Sequence, residues 1–256
     1  KHLLAVRVSK FHQSSFRGIP FIKLGEYDAQ SRLLIIIAAF MHILAGICLA
    51  LGFYFLSVYV QSFRESSFLF FALLCLCVFS WIILEYVRFY YAYPYPWHYP
   101  RLDAIALMAF CTNLLIPLYF WIYFRLPYSK WIFATIFLIQ LLIGLTQGDY
   151  DLQAYNWNIN AGLFSLDAII FAHLKKKSNP NLALLSIIPL GLCLAFFYPL
   201  FYDQVYFLSL SFFIAMQVIL MNQFLRNLRR EYESSLQRVH MLRAELLKKN
   251  LKPHFL

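Results

Sequence analysis

The chain has 256 residues, of which 62% are hydrophobic and 20% aromatic, while only 13% carry charge. That charged share is about half the usual soluble fraction. A water-soluble domain of this size could not hide so much apolar surface, so the soluble classes are excluded. The net charge of +10 is unevenly placed: residues 226–252 hold eight basic and three acidic side chains. Such a run points to anionic lipid headgroups rather than to nucleic acid.

In chain order, residues 1–32 differ from the apolar remainder. His2 to Val8 have the β-branched and aliphatic bias of a strand, and Gly18-Ile19-Pro20 and Leu24-Gly25 are turn signals. One strand is not stable alone, so this segment reads as the tail of an upstream extracytoplasmic β-domain. The chain opens on Lys1 without an initiator Met, and it reads as a piece of a longer protein.

Seven apolar runs come next, at 33–60, 68–91, 102–124, 131–147, 157–174, 182–202 and 205–225. Several exceed the ~20 residues that cross a bilayer. The fourth and fifth are short and interrupted by Gly and Asn. The expected fold class is an all-α polytopic membrane protein with seven transmembrane helices over 33–225. The aromatic loop from Tyr91 to Pro100 fits an interfacial belt, and Gly148-Asp149-Tyr150-Asp151 opens a polar loop before the fifth run. The five cysteines, Cys48, Cys75, Cys77, Cys111 and Cys193, all lie in apolar runs, without the spacing of a disulfide framework or a zinc site. No metal site is expected.

Orientation is set by Lys and Arg near the span ends. One set of loops carries Arg64, Arg125, Lys130, Lys175, Lys176 and Lys177, and Arg226, Arg229 and Arg230 follow the seventh run. The opposite loops are poor in Lys and Arg. The carboxyl end is therefore expected in the cytoplasm and residues 1–32 outside, with Arg32 a mild exception. Lys175 to Lys177 read as a topology signal.

Polar side chains interrupt the apolar runs. Glu85, Arg88, Arg101 and Asp103 are placed to meet as an ion-pair cluster at the outer rim. Asp167, Asn158, Asn160, Asn113, Gln140 and His42 lie deeper, and interhelical hydrogen bonds account for them with fewer assumptions than a proton path.

Beyond the seventh run the pattern changes. Leu225, Tyr232, Val239 and Leu246 fall seven apart, as do Leu228, Ser235, Leu242 and Lys249. This is a heptad seam whose second series is broken twice by polar residues. No Gly or Pro separates it from the apolar run, so one helix should run from membrane to cytosol. Residues 226–252 read as a coiled-coil-like linker that pairs with a second copy, a homodimer through 225–252. Two polar seam positions suit an adjustable coil.

The chain closes on Lys252-Pro253-His254-Phe255-Leu256. With the amphipathic stretch from Glu245 before it, this segment resembles the phosphoacceptor box of the LytS-type sensor histidine kinases, whose core is Pro-His-Phe-Leu. Asn250 stands where many members have Gln. Residues 253–256 then resemble the start of the phosphoacceptor region, with His254 as the phosphoacceptor. A near-neutral imidazole is a competent nucleophile, and Pro253 should kink the helix beside it. The layout of outer β-domain, seven helices and cytoplasmic module is similar to the 7TMR-DISM receptors, whose outer domain is a jelly roll. The resemblance implies a bacterial inner-membrane sensor kinase. ATP, and Mg2+ with it, would be bound by a catalytic domain outside these residues. The implied partners are a response regulator and an unknown extracellular ligand, with no nucleic acid. A receptor of this layout driving a cyclase-type output, and a transporter, are the competing readings. Pro117, Pro189 and Pro199 interrupt spans as in transporters, but no matching halves are visible.

Overall fold

The computed structural model describes residues 27–61, 65–87, 94–127, 129–148, 150–197 and 203–251. Among them the chain is all-helical and holds no strand. Seven long helices succeed one another: α1 (Tyr27–Gln61), α2 (Ser66–Tyr86), α3 (His98–Tyr123), α4 (Ser129–Thr146), α5 (Tyr150–Leu174), α6 (Pro180–Phe197) and α7 (Asp203–Leu251). A 3-10 turn, Tyr95–Trp97, leads into α3. Four stretches are long and apolar enough to cross a membrane: Ile35–Gln61, Ser66–Tyr86, His98–Tyr123 and the run beginning at Val205 in α7. This is the composition of a multi-pass membrane protein. Helices suit that solvent because each satisfies its backbone polar groups internally. Shorter apolar helices lie at Lys130–Thr146 and Pro180–Phe196.

The seven helices fall on the seven expected runs, but several ends differ. The strand expected at His2 to Val8 lies outside the described residues. Residues 27–32, expected in the β tail, are already in α1. The helix α5 starts at Tyr150 rather than Trp157, so the expected polar loop is mostly helix. Its first turns are tied to the end of α4: Gln153 Nε2 donates to the Gly144 carbonyl at 3.1 Å and also to the Gln147 carbonyl, and Asn156 Nδ2 donates to Gln147 Oε1 at 3.0 Å. The Gln153 amide thus takes up two backbone carbonyls at the end of α4, and the Asn156 and Gln147 side chains pair with each other. The second half of the aromatic loop is also ordered, with α3 starting at His98 and carrying Pro100 in its first turn, where Pro is tolerated. Pro117 and Pro189 lie inside α3 and α6, which continue through them. Pro199 lies outside the described residues.

The chain divides into two compact units, Lys1–Ala172 and His173–Leu256. In the first, α1 packs on α2, α2 on α3 and α3 on α4. Helices α1 and α2 approach closely at Gly52, where an added Cβ would lie 2.8 Å from Leu76 Cδ2 and 2.9 Å from its Cγ. Small residues admit such close backbones where lipid supplies no hydrophobic drive between helices. An aromatic column joins α1, α2 and α3: Phe55 meets Phe71 at 4.9 Å, Phe71 meets Tyr119 at 5.7 Å, and Tyr119 meets Tyr123 at 5.8 Å. Helix α5 lies along α3 in the same direction, through Phe110–Trp157 at 5.5 Å and Trp121–Phe171 at 6.0 Å.

The end of α3 nearest that column closes in a Schellman motif. Arg125 takes the left-handed conformation at φ 49°, and Arg125 N–H and Leu126 N–H donate to the Ile122 and Trp121 carbonyls, each at 2.9 Å. Glycine usually fills this position. Here the guanidinium Nη2 reaches Glu65 Oε1 at 2.7 Å, tying the end of α3 to the turn between α1 and α2.

The second unit is the hairpin of α6 and α7. Helix α7 is a single helix of 49 residues, about 74 Å long at 1.5 Å per residue. Tyr206, Leu210, Phe213, Gln217, Leu220 and Met221 mark its buried face.

Candidate functional site

Three groups of polar residues are candidates, and each is built by different elements. The first lies at the Arg101 end of the first unit. Arg101 is only 8% exposed. Its Nη1 donates to the Leu84 carbonyl at 3.0 Å and lies 3.9 Å from Glu85 Oε2. Leu84 is in the last turn of α2, so Arg101 caps that helix from a neighbouring one and offsets the negative end of its dipole. The expected meeting of Glu85 and Arg101 is present. Asp103 does not join it; its Oδ1 accepts from Tyr150 OH at 2.6 Å, linking the starts of α3 and α5. Arg88 lies outside the described residues. The geometry is that of a structural clasp.

The second group is the set of side chains within apolar helices. Asn113, Asn158 and Asn160 each donate to the carbonyl four residues back in their own helix, Ala109, Ala154 and Asn156, at 2.8 to 2.9 Å. His42 Nδ1 lies 2.6 Å from the Ala38 carbonyl. Each of these side chains thus has a local back-bond, which needs no partner helix, and His42 also meets the Tyr86 ring of α2 at 6.4 Å. Asp167 lies on an exposed face of α5, beside Leu163 and Ile170. Gln140 is buried and its side-chain amide has no partner, while its backbone carbonyl accepts from Trp157 Nε1 at 2.8 Å.

The third group lies on α7. Gln217 Nε2 donates to Ser186 Oγ at 2.7 Å in the buried α6–α7 seam, and Asn179 Nδ2 donates to Gln223 Oε1 at 2.7 Å nearer the point where α7 leaves the hairpin. Ser186 Oγ in turn donates to the Ala183 carbonyl at 2.6 Å. These rungs hold α7 at one height against α6. None of them was singled out from the sequence. Ser, Gln and Asn are common in such helices, and only facing register distinguishes a rung from a back-bond.

Past Gln223 the helix becomes a shaft. Every described side chain from Arg229 to Lys249 is exposed. Tyr232, Val239, Leu242 and Leu246 form the expected stripe, exposed by 49%, 45%, 59% and 60%. Leu236 adds to it, four residues after Tyr232 and three before Val239, so it fills the gap left by Ser235. Ser235 Oγ donates to its own helix, at the Tyr232 carbonyl, 2.8 Å away. The heptad count passed over Leu236 because it falls one place beyond the seam position. The shaft leads to His254, which lies outside the described residues, as do Pro253, Phe255 and Leu256.

Comparison with protein-family models, with curated proteins and with solved structures finds no match. Among the described residues no group of three or more His, Cys, Asp or Glu is arranged to hold a metal ion.

Proposed function

We propose that this chain is the membrane sensor part of a two-component histidine kinase, and that its output is phosphorylation of His254. One observation carries the reading. Helix α7 runs without a break from an apolar stretch that suits a membrane, through a polar shaft with one uncovered apolar stripe, to the Lys252-Pro253-His254-Phe255-Leu256 segment. A transporter has no evident need of such a shaft, and a cyclase-type receptor has no need of this ending.

In this reading all seven helices cross a bacterial inner membrane, with the amino-terminal segment outside and the shaft in the cytoplasm. The shorter apolar helices, such as Lys130–Thr146, span about 26 Å, and local thinning with snorkelling of flanking residues such as Lys130 makes up the difference. Two copies pair through 225–252, and the basic residues of this stretch attract anionic lipid. A cue acting on the outer segment or on the helices moves the α6–α7 hairpin, whose rungs pass the movement into the shaft. The shaft alters the presentation of His254 to a catalytic domain that carries ATP and Mg2+. The imidazole forms a nitrogen–phosphorus bond as the bond from the γ-phosphorus to the ADP oxygen breaks, and the ring proton leaves to solvent. The phosphoryl group then passes to an aspartate of a response regulator.

The test uses the intact protein and labelled ATP. Wild type should take up acid-labile label, and His254→Gln should take up none. Equal labelling of the two proteins, or a topology tag that reports residues 252–256 outside the cell, would sink the reading.

A further inference from the structure

In the second unit, the turn between α5 and α6 sits against the place where α7 becomes polar. The Asn179–Gln223 hydrogen bond of 2.7 Å makes that link. The turn is shaped by its backbone: Lys176 and Asn179 are both left-handed, at φ 51° and 60°, and Lys176 N–H donates to the His173 carbonyl at 3.0 Å. It presents Lys175, Lys176 and Lys177 as exposed side chains. On α7, Arg226 and Arg230 lie three and seven residues after Gln223, which puts them on the helix face that meets the turn. Arg229 flanks that face, and all three arginines are exposed.

This hydrogen bond therefore joins two basic segments, with three lysines just before Asn179 and three arginines just after Gln223. Between His173 and Arg230 the only acid in the sequence is Asp203. It opens α7, about 30 Å from Gln223 along the helix. Glu231 and Glu233 bound the group only on the side away from the apolar stretch. Such a concentration of like charge attracts an anion. An apolar track starts at the same place: Leu184, Leu185, Ile188, Leu192 and Phe196 are exposed along one face of α6. Cations at one end of an exposed apolar track match a phospholipid, headgroup to the cations and acyl chains to the track.

We propose that Lys175, Lys176 and Lys177 with Arg226, Arg229 and Arg230 form a headgroup site for an anionic phospholipid. The two sets of three cations fit a lipid with two phosphates, of the diphosphatidylglycerol kind. This goes beyond a general attraction of the basic shaft to lipid, and it gives the lysines a binding role beside their topological one. The site rests on the membrane reading of these helices but not on any chemistry at His254. The bound lipid bridges the turn and the foot of α7, and so stiffens the joint at which the shaft emerges.

The test is made on the full chain in neutral detergent, with diphosphatidylglycerol, phosphatidylglycerol or phosphatidylcholine added and retained lipid counted by native mass spectrometry. Wild type should keep one diphosphatidylglycerol per chain and no phosphatidylcholine. Replacing the three lysines by Gln, or the three arginines by Gln, should each weaken retention at least about tenfold. Arg238→Gln with Arg243→Gln and Lys248→Gln, an equal loss of charge further along the shaft, should leave retention unchanged. Replacing the three lysines by Arg keeps the charge and should keep the lipid, which separates a lost site from a lost fold. If the shaft variant lowers retention as much as the other two, or if neither of those lowers it, there is no such site. Displacement of the lipid by millimolar inorganic phosphate would overturn the lipid assignment in favour of a soluble anion. His254→Gln should bind lipid as wild type does, so failure of the kinase reading and failure of this one are read separately.

Discussion

The wall formed by α1, α2 and α3 and the shaft at the end of α7 are both helix, yet they are held in opposite ways. In the wall, aromatic rings and a close glycine contact fill the space between helices. The shaft is a regular helix whose described side chains from Arg229 onward are all exposed, and its apolar stripe faces outward. Stability in the wall comes from shape, because burying a Phe away from lipid gains dispersion contacts rather than release from water. The shaft stands in the hydrophobic regime of water, where its stripe gains from being covered. One chain thus joins helices packed on one another to a helix whose apolar stripe is uncovered among the described residues.

The largest effect is expected at the shaft. Val239→Asp with Leu242→Asp places two carboxylates in the stripe, at a cost of about 1–3 kcal/mol each once paired. Cross-linking between copies through a cysteine placed at Ser235 should then fall at least about tenfold, while the melting of the membrane helices is unchanged. If cross-linking persists, the stripe is not the pairing surface.

In the wall, Gly52→Ala drives a methyl against Leu76 and should destabilise the first unit by about 1–3 kcal/mol. Thermal unfolding in detergent, read by tryptophan fluorescence, measures it. Adding Leu76→Ala to Gly52→Ala should restore part of the loss, since it removes the clashing atoms.

The α6–α7 rung comes next. Ser186→Ala leaves the buried Gln217 amide without its hydroxyl partner and should cost about 1–2 kcal/mol. Gln217→Leu on that background should recover most of it, because the polar group that lacks a partner is then gone. A recovery absent from the double variant would mean that the rung is not what the amide loses.

The smallest effect is at Arg125. Arg125→Gly removes an ion pair worth about 0–1 kcal/mol at an exposed position but relieves a left-handed residue of about 1 kcal/mol, so stability should change little or rise slightly. Arg125→Ala keeps the strain and loses the pair, and it should be the less stable of the two. Unfolding curves of the two variants side by side give the order.

Much of this was legible in the chain itself. The lengths of the apolar runs are local facts, and they placed seven helices before any packing was known. The absence of Gly and Pro after Leu225 made α7 continuous, since nothing in that stretch stops the hydrogen-bond ladder. The extension of α5 back to Tyr150 was not legible, because the amides that hold it act across the α4–α5 turn. The role expected of His254 rests on the Pro-His-Phe-Leu segment alone, and the fold adds the continuous helix that ends at Leu251.

Sequence alone therefore determined where the helices lie and where the chain turns from apolar to polar, because both depend on neighbours in sequence. Which faces meet was decided by the tertiary structure. These helices are apolar on every side, so their pattern names no inward face, and contacts such as Gly52 with Leu76, Arg101 with the end of α2 and Gln217 with Ser186 join residues far apart in the chain. The same holds for Lys175 to Lys177 and Arg226 to Arg230: about fifty residues separate the two sets in sequence, and the packing of α6 on α7 with the Asn179–Gln223 hydrogen bond joins the segments that carry them.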